Sequence, residues 1–504
     1  MIAVMLLSLL SQVVVSAEER PPNFVVIYCD DLGYGDLGCY GSTRNSTPRL
    51  DQMAREGVRL TDFYSAAAVC SASRAALLTG CYPQRVNILG ALGPKSAKGI
   101  HESERLLPEL LRERGYATAI YGKWHLGDAP QFLPTRNGFD DYFGLPYSND
   151  MWPRHPTNKS FPELPLIEGE RVAQLNPDQR QLTKWYTEHA CRFIEQQRER
   201  PFFLYVPHTM PHVPLFVSEA RAGKSGRGIY ADVVAELDWS VGEILDTLKR
   251  TGLDERTLVL FSSDNGPWLS YGEHAGSAGP LREGKGTTWE GGQRVPGIVR
   301  WPTKIPAGKV CSELSTTMDV LPTLVKLAGG QVPGDRVIDG HDAWKLWSAV
   351  ADARTPYEAF YYYWDDGLEA VRSGPWKLHF PHRYRSLGER GLKAQGAEQT
   401  QKTQKTEKTE KPQKTERAEK TQRTEAASEA GRNGRPLDYQ QRETGLALYH
   451  LGDDIGEQQD RSAQEPEQVK RLQELAERAR MSLGDSLQKR VGKERRPAGT
   501  RAVN

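Results

Sequence analysis

A cysteine and an arginine four residues apart are the first side chains in this sequence whose spacing suits covalent chemistry. Cys70 follows a run of small residues, and Arg74 to Leu78 are good helix formers that end at Thr79-Gly80. A side chain at the N-terminus of a short helix lies near free backbone N–H groups and the positive end of the helix dipole. Arg74 adds a fixed positive charge one turn further along. The pattern predicts a site suited to an oxyanion, although a lone cysteine is more often a small buried hydrophobic residue.

Carboxylates and one amide follow two apolar segments that are typical of buried strands. Asp30-Asp31 end the first segment, and Asp264-Asn265 follow the second. Each pair has an ordinary alternative, a strand-end cap for the two aspartates and a turn for Asn-Gly. Together they supply only oxygen ligands, which suit Ca²⁺ or Mg²⁺ rather than zinc, and the irregular oxygen set favours Ca²⁺. We therefore expect a calcium site where these segments end.

Lysine and histidine side chains in three further segments could act on an anionic substrate. Lys123 and His125 follow one short strand, His208 and His212 follow another, and Lys285 lies in a glycine-rich stretch. A lysine can neutralise the charge of an oxyanion, and a histidine can move a proton because it titrates near neutral pH. Taken singly, each could equally be an exposed lysine or a structural histidine.

Several of these segments resemble motifs of the sulfatase family. The segment C-S-A-S-R-A-A-L-L-T-G resembles the first sulfatase signature, C-x-P-x-R followed by x-x-L-x-T-G, with Ala72 where most members have proline. An alanine form of this motif is known in the family. Gly115 to His125 resembles the second signature, and Lys285 precedes E-G-G-Q-R-V-P as a catalytic lysine does in the family. The motifs occur in order over residues 22–380, and their style is most similar to arylsulfatase A and the N-acetylgalactosamine-6-sulfatases.

The resemblance implies a reaction and a set of residues that carry it. A maturation enzyme would oxidise Cys70 to formylglycine, whose hydrate would attack the sulfur of a sulfate ester. The implied catalytic residues are Cys70, Arg74, Lys123, His125, His212 and Lys285. The implied substrate-binding residues are Lys123, His212, Lys285 and, as a second candidate, His208. The implied ligands of a Ca²⁺ ion are Asp30, Asp31, the oxidised Cys70, Asp264 and Asn265.

Two other functions compete with a sulfatase. One is a phosphomonoester or phosphonate hydrolase on the same fold, and the other is a non-catalytic binder of sulfated glycans with Cys70 unmodified. For the sulfatase we expect a sulfated small molecule or carbohydrate as substrate. The net charge of +1 and pI of about 7.6 give no electrostatic reason to expect nucleic acid as a partner.

Strands that alternate with helices predict an α/β fold. Continuous apolar segments predict buried strands, and amphipathic segments predict the helices between them. We expect a doubly wound, mostly parallel sheet followed by a smaller C-terminal α+β domain, and the resemblance implies an alkaline-phosphatase-like version of that sheet. The predicted strands are 22–31, 116–121, 202–206 and 257–261, followed by 369–372, 376–380 and 446–451. The predicted helices are 47–55, 104–114, 230–250 and 466–481.

Composition predicts the domain limits and the compartment. Residues 1–17 are uncharged and end in Val-Ser-Ala, which predicts a secretory signal peptide, with an uncleaved anchor as the less favoured alternative. We expect a catalytic domain over 18–340, a C-terminal domain over 341–504, and a disordered low-complexity insertion at 393–433. The protein should be exported, periplasmic or secreted, without stable membrane insertion. Six cysteines are too few for a disulfide scaffold.

Overall fold

The computed structural model describes residues 20–388 and 430–502. The predicted signal peptide at 1–17 and most of the predicted insertion at 393–433 lie outside the described residues. Among the residues described, no helix has both the length and the apolar character needed to cross a bilayer.

Strands and α-helices alternate through the first two thirds of the chain, and strands dominate the last third. The strands are β1 (Asn23–Cys29), β2 (Val58–Leu60), β3 (Phe63–Tyr64), β4 (Lys98–Gly99), β5 (Ala117–Tyr121), β6 (Asp141–Gly144), β7 (Pro165–Glu168), β8 (Arg171–Leu175), β9 (Phe202–Pro207), β10 (Thr257–Ser263), β11 (Gly297–Arg300), β12 (Lys309–Cys311), β13 (Ser315–Thr316), β14 (Phe360–Trp364), β15 (Gly367–Ser373), β16 (Trp376–His379), β17 (His382–Ser386), β18 (Gln440–Thr444), β19 (Ala447–His450), β20 (Gly484–Asp485), β21 (Arg490–Val491) and β22 (Gly499–Thr500). The helices are α1 (Pro48–Arg55), α2 (Cys70–Thr79), α3 (Pro83–Val86), α4 (Leu107–Arg112), α5 (Leu182–Gln196), α6 (Ile229–Arg250), α7 (Glu290–Gln293), α8 (Val320–Leu327), α9 (Trp344–Trp347) and α10 (Pro466–Ser482).

The largest sheet contains ten of these strands, in the order β12-β2-β11-β10-β1-β9-β5-β6-β7-β8. Its centre, β10-β1-β9-β5-β6, is parallel, and antiparallel strands β11 and β7 border it on either side. Parallel strands are buried on both faces, so they are continuously apolar rather than alternating. The predicted doubly wound, mostly parallel sheet is confirmed.

Hydrophobic side chains cover both faces of this sheet. In β1, Val25 and Ile27 belong to one core cluster, which includes residues of α5 and α6. Phe24 and Val26 belong to the other, which includes residues of α2, α4 and α8. Because successive strand residues point to opposite faces, one apolar strand serves both clusters.

The predicted smaller α+β region is also confirmed. Antiparallel strands β14, β15, β16 and β19 form a second sheet, and the apolar face of α10 packs in its core. The same core includes Tyr64 and Ala76 from the first part of the chain, so the two parts share a hydrophobic cluster. A domain boundary near residue 340 stays a prediction.

Buried ion pairs and the chain's last described residues also join the two parts. Lys377 on β16 lies 2.9 Å from both Glu290 and Glu457. Further along, β22 pairs antiparallel with β4, and Arg496 forms an ion pair with the buried Glu104 at 2.7 Å. The C-terminal region is therefore bound to the first part at several separate places.

Candidate active site

Parallel pairing brings the predicted oxygen ligands to one edge of the large sheet. Cys29 at the end of β1 lies opposite Ser263 at the end of β10, so the residues that follow both strands leave the sheet side by side. The backbone N–H of Asp31 donates to Asp264 at 3.1 Å, and the side-chain amide of Asn265 donates to Asp31 at 2.7 Å. Asp31 adopts a φ of +64°, a conformation that is uncommon outside glycine and that directs the chain into this cluster.

Two oxygen atoms in this cluster fit a hard cation. Oδ1 of Asp30 and Oδ1 of Asn265 are buried and have no hydrogen-bond partner. Buried polar atoms are normally satisfied, and oxygen atoms left in this way are suitable ligands for Ca²⁺. One carboxylate oxygen each from Asp30 and Asp31 and a ring nitrogen of His212 lie within 4.8 Å of one another. The residues therefore fit the predicted Ca²⁺ ion, while the predicted ligand set stays a prediction.

Arg74 and Lys123 surround the same carboxylates with positive charge. The buried guanidinium of Arg74 donates to Asp264 at 2.8 and 3.1 Å and to the backbone carbonyl of Lys123 at 2.8 Å. Lys123 pairs with Asp30 and donates to Ser148 at 3.2 Å. Burial raises the pKa of Asp30. Lys123 and the other cations nearby together lower it more, so the pKa of Asp30 lies below its usual range. Asp30 is therefore held as a carboxylate.

Lys285 and His212 complete the polar side of the site. The ammonium of Lys285 lies 2.7 Å from the carboxylate of Asp31, and Nε2 of His212 lies 3.7 Å from it. Burial lowers the pKa of Lys285, but Asp31 and the other acidic groups around it together raise the pKa more, so the net shift is upward and the lysine stays protonated. Burial lowers the pKa of His212, which favours the neutral imidazole.

The charges of the site balance before any ligand enters. In formal charges, three carboxylates face three cations, and the side chains concerned are Asp30, Asp31, Asp264, Arg74, Lys123 and Lys285. A divalent cation and an anionic substrate can therefore enter together without leaving a large net charge in a buried site.

Cys70 begins α2 and is only 2% exposed. Burial raises the pKa of its thiol, and the nearby ammonium groups of Lys123 and Lys285 do not reverse that shift. Reactive cysteines have lowered pKa values, so an unmodified thiol here would be a weak nucleophile. Nucleophilic chemistry at this position is therefore better served by a modified side chain.

His125 and His208 differ in what their rings contact. Nε2 of His125 lies 2.9 Å from the backbone carbonyl of Leu92, so it carries the proton, and Nδ1 is buried without a partner. Nε2 of His208 lies 3.2 Å from the hydroxyl of Ser240 on α6, and burial lowers the pKa of His208 to about 3. The contact with α6 favours a structural role for His208, and its role in substrate binding stays a prediction.

Trp268 is a site residue that the sequence analysis missed. Its ring centroid lies 4.5 Å from the ammonium of Lys285 and 5.5 Å from the ring of His212. It is half-buried, whereas the charged residues around it are buried. Its place three residues after Asn265 in S-D-N-G-P-W was the available signal.

Comparisons with known proteins identify the family to which the chain is similar. Residues 22–330 match the family model for the Sulfatase domain. N-acetylgalactosamine-6-sulfatase from Canis lupus familiaris is 43% identical over 378 residues, which cover 72% of each chain. Arylsulfatase A from Homo sapiens is 40% identical over 389 residues, covering 72% of this chain and 76% of the relative. The crystal structure of PsFucS1 sulfatase from Pseudoalteromonas sp. superimposes with a TM-score of 0.76 at 26% identity, covering 91% of this chain and 90% of the other.

Proposed function

We propose that this chain, which belongs to the sulfatase family of sulfuric ester hydrolases, hydrolyses the sulfate ester of a sulfated carbohydrate. We further propose that Cys70 is oxidised to formylglycine and that a Ca²⁺ ion is held by Asp30, Asp31, Asp264, Asn265 and the oxidised residue 70. The observation that carries the proposal is a buried position 70 beside balanced charges and two unpartnered oxygen atoms.

The chemistry of position 70 follows from what one side chain can form and break. The hydrated aldehyde has two hydroxyl groups on one carbon, and one of them attacks sulfur while the S–O bond to the leaving alcohol breaks. The second hydroxyl then loses its proton, the C–O bond to sulfate breaks, and the aldehyde is restored. A serine or an unmodified cysteine has no second hydroxyl, so it would stop at the covalent sulfate.

The chain's own residues would hold the substrate and move its protons. Lys123 and Lys285 would neutralise the sulfuryl oxygens, which is the kind of preorganised electrostatic stabilisation that usually contributes most to a rate. Lys285, which stays protonated, would supply a proton to the leaving oxygen, and His212 is the second candidate for this step. His125, with a free Nδ1, would accept a proton from the hydrate.

We propose that Arg74 acts by positioning other site residues. Three of its nitrogen atoms already donate to Asp264 and to the backbone of Lys123. It would therefore act by holding a calcium ligand and Lys123 in place. Bound Ca²⁺ would supply positive charge to orient residue 70 and the sulfate group.

The substrate class follows from the relatives. One relative is named for the 6-sulfate of N-acetylgalactosamine, and another is an arylsulfatase. We infer that a sulfated amino sugar or galactose-type sugar is the natural substrate and that a formylglycine-generating enzyme acts on the chain. The uncharged N-terminal segment supports export to the periplasm or the outside of the cell.

One comparison of substrates tests the function. The matured protein is assayed with an aryl sulfate, the matching aryl phosphate, and N-acetylgalactosamine 6-sulfate. We expect hydrolysis of the sulfates with a large preference over the phosphate. Preference for the phosphate would identify a phosphomonoester hydrolase, and binding without hydrolysis would identify a sulfated-glycan binder.

Mass spectrometry of the peptide covering residues 68–85 tests the modification. Formylglycine is about 18 Da lighter than cysteine, as expected for this change of a thiol to an aldehyde. Full turnover with an unshifted peptide would contradict the formylglycine mechanism.

A further inference from the structure

Strand β17 of the C-terminal region contacts residues 282–286, which we call the Lys285 segment. On β17, the hydroxyl of Tyr384 accepts a hydrogen bond from Arg282 at 3.0 Å, and the hydroxyl of Ser386 donates to Glu283 at 2.6 Å. These contacts flank the residue between them, Arg385. Three successive residues of β17 therefore face the Lys285 segment.

Arg385 contacts Lys285 itself. Its guanidinium donates to the backbone carbonyl of Lys285 from Nε at 3.1 Å and also from Nη2. The guanidinium lies over the ring of Tyr439 at 4.7 Å, which fixes its plane. Two charge-assisted hydrogen bonds from a rigid fork to one carbonyl define the position of that backbone more narrowly than a single neutral bond would.

The next residue of the segment shows how tightly this contact is built. Gly286 has a φ of +78°, and a Cβ atom there would lie 2.1 Å from Nη2 of Arg385. Its N–H donates to the carbonyl of Ala68 at 2.9 Å, two residues before Cys70. Arg385 therefore contacts the backbone directly beside the hydrogen bond that links Gly286 to Ala68, near Cys70.

We propose that Arg385 is a positioning residue for Lys285 and that the C-terminal region thereby sets the rate of sulfate ester hydrolysis. Arg385 donates to the lysine's backbone, while the lysine's ammonium lies at the other end of its side chain against Asp31. Displacing a catalytic group by about 1 Å can lower a rate by as much as 10²-fold. Arg385 lies outside residues 22–330, which match the family model. This inference rests on the role proposed for Lys285.

The first test compares variants of one strand in the full-length, matured protein. We expect Arg385→Met to lower kcat/KM for 4-nitrophenyl sulfate by about 10- to 100-fold, with little change in Tm. Arg385→Lys should recover part of that loss because it keeps a charged donor. The matched control is Arg383→Met, because Arg383 is exposed on the same strand and pairs only with Glu443 among the ion pairs of the described residues. Wild-type kcat/KM in Arg385→Met would overturn the proposal.

A double-mutant cycle separates positioning from general support of the fold. If Arg385 acts through Lys285, Arg385→Met should cause no further loss once Lys285→Met is present, because residues that act as a unit are non-additive. If Arg385→Met lowered kcat/KM by the same factor in the Lys285→Met protein as in the wild-type protein, the proposal would be overturned. The affinity of the same four proteins for inorganic sulfate, measured by calorimetry, provides a second double-mutant cycle that does not depend on turnover. Absence of sulfatase activity in the wild-type protein would instead contradict the proposed function, and the sulfate-binding cycle would still test Arg385.

Discussion

At the scale of single residues, position 70 carries the proposed chemistry. The thiol of Cys70 is buried, and burial raises its pKa, so the unmodified side chain is a poor nucleophile near neutral pH. Its surroundings contain three cations paired with three carboxylates, so a divalent cation and an anionic substrate could be bound there together. The proposed modification would supply a nucleophile that does not depend on ionising this buried thiol.

We expect Cys70→Ala to abolish turnover and Cys70→Ser to transfer at most one sulfate group per protein molecule. The serine variant has one hydroxyl and cannot expel the sulfate that it accepts. A stopped assay with an aryl sulfate and the intact mass of the variant measure both outcomes. The control is Cys191→Ala, because Cys191 is a half-buried residue of α5, a helix that carries none of the proposed site residues. Repeated turnover by Cys70→Ser would contradict the mechanism.

Trp268 allows a prediction on a residue without ionisable groups. A cation over an aromatic ring contributes about 0.5–2 kcal/mol, so Trp268→Leu should lower kcat/KM for an aryl sulfate by about 2- to 30-fold. Trp268→Phe keeps an aromatic ring near Lys285 and should lose less. Trp239→Phe, on the half-buried tryptophan of α6, is the control. Equal losses in the leucine and phenylalanine variants would show that the ring face is not what matters.

At the scale of elements, the sequence analysis succeeded where one periodicity dominates. The continuous apolar run of β1 and the amphipathic pattern of α6 were sufficient to predict both elements nearly to their observed limits. The polar residues after β1 and β10 could be expected to meet because parallel strands end at a common edge. The local patterns thus predicted the frame of the site.

Elements that depend on partners distant in sequence were missed. The strand β17, H-R-Y-R-S, is rich in charged and polar residues and pairs with an equally polar β18. These polar residues are accommodated in a strand because they contact the Lys285 segment, and no alternation of apolar and polar residues in the sequence indicates that contact. The hydrogen bonds of Lys123 to Ser148 and of His208 to Ser240 were unpredictable for the same reason.

The pairing of β17 with β18 predicts that the segment between them can be replaced. Ser386 lies opposite Gln440, so the chain leaves and re-enters this ribbon at one end. We expect replacement of residues 389–429 by about ten Gly and Ser residues, which can span about 33 Å, to leave Tm and aryl sulfate turnover unchanged. A scrambled sequence of residues 389–429 is the control for composition. If the shortened protein lost aryl sulfate turnover and the scrambled protein did not, the length of this segment would matter for the site.

A buried carboxyl group on β15 predicts a pH dependence of stability. Burial raises the pKa of Glu369 to about 8, above the value of about 4.3 in an unfolded chain. The stabilising protonated form is therefore fully present below about pH 4 and is lost as pH rises through about 8. Nearby His382, whose pKa burial lowers to about 4, stays neutral across this upper range.

The Tm of the wild-type protein should consequently fall more between pH 5 and pH 8 than the Tm of Glu369→Gln. Glutamine keeps an oxygen that can accept the hydrogen bond from Thr288, which is 2.7 Å in the wild-type protein. Differential scanning calorimetry of both proteins gives the comparison. The same slope in both would show that Glu369 is already ionised at pH 7.

At the scale of the whole molecule, a bound cation should contribute to stability. Asp30 and Asn265, whose unpartnered oxygen atoms would bind the cation, follow the ends of two central strands of the large sheet, so binding there would stabilise the folded core. At about 100 times its Kd, a ligand that binds only the folded state adds about 2.7 kcal/mol to the free energy of unfolding. Ca²⁺ should therefore raise the Tm of protein pretreated with EDTA, and Mg²⁺ should raise it less.

The control for this measurement is Asn265→Leu, which removes one of the two unpartnered oxygen atoms. Its Tm should respond less to Ca²⁺ than the Tm of the wild-type protein. If Ca²⁺ left the Tm of the EDTA-treated wild-type protein unchanged, the proposed calcium site would be wrong.

The pairing of β22 with β4 has a consequence for biosynthesis. Strand β4 lies fewer than thirty positions beyond residue 70, yet its partner at Gly499–Thr500 leaves the ribosome some four hundred positions later. Residue 70 is inaccessible once the molecule has closed around it. The enzyme that we propose to oxidise this cysteine would therefore have to act before the chain has folded around residue 70, and the partner of β4 is synthesised after that residue.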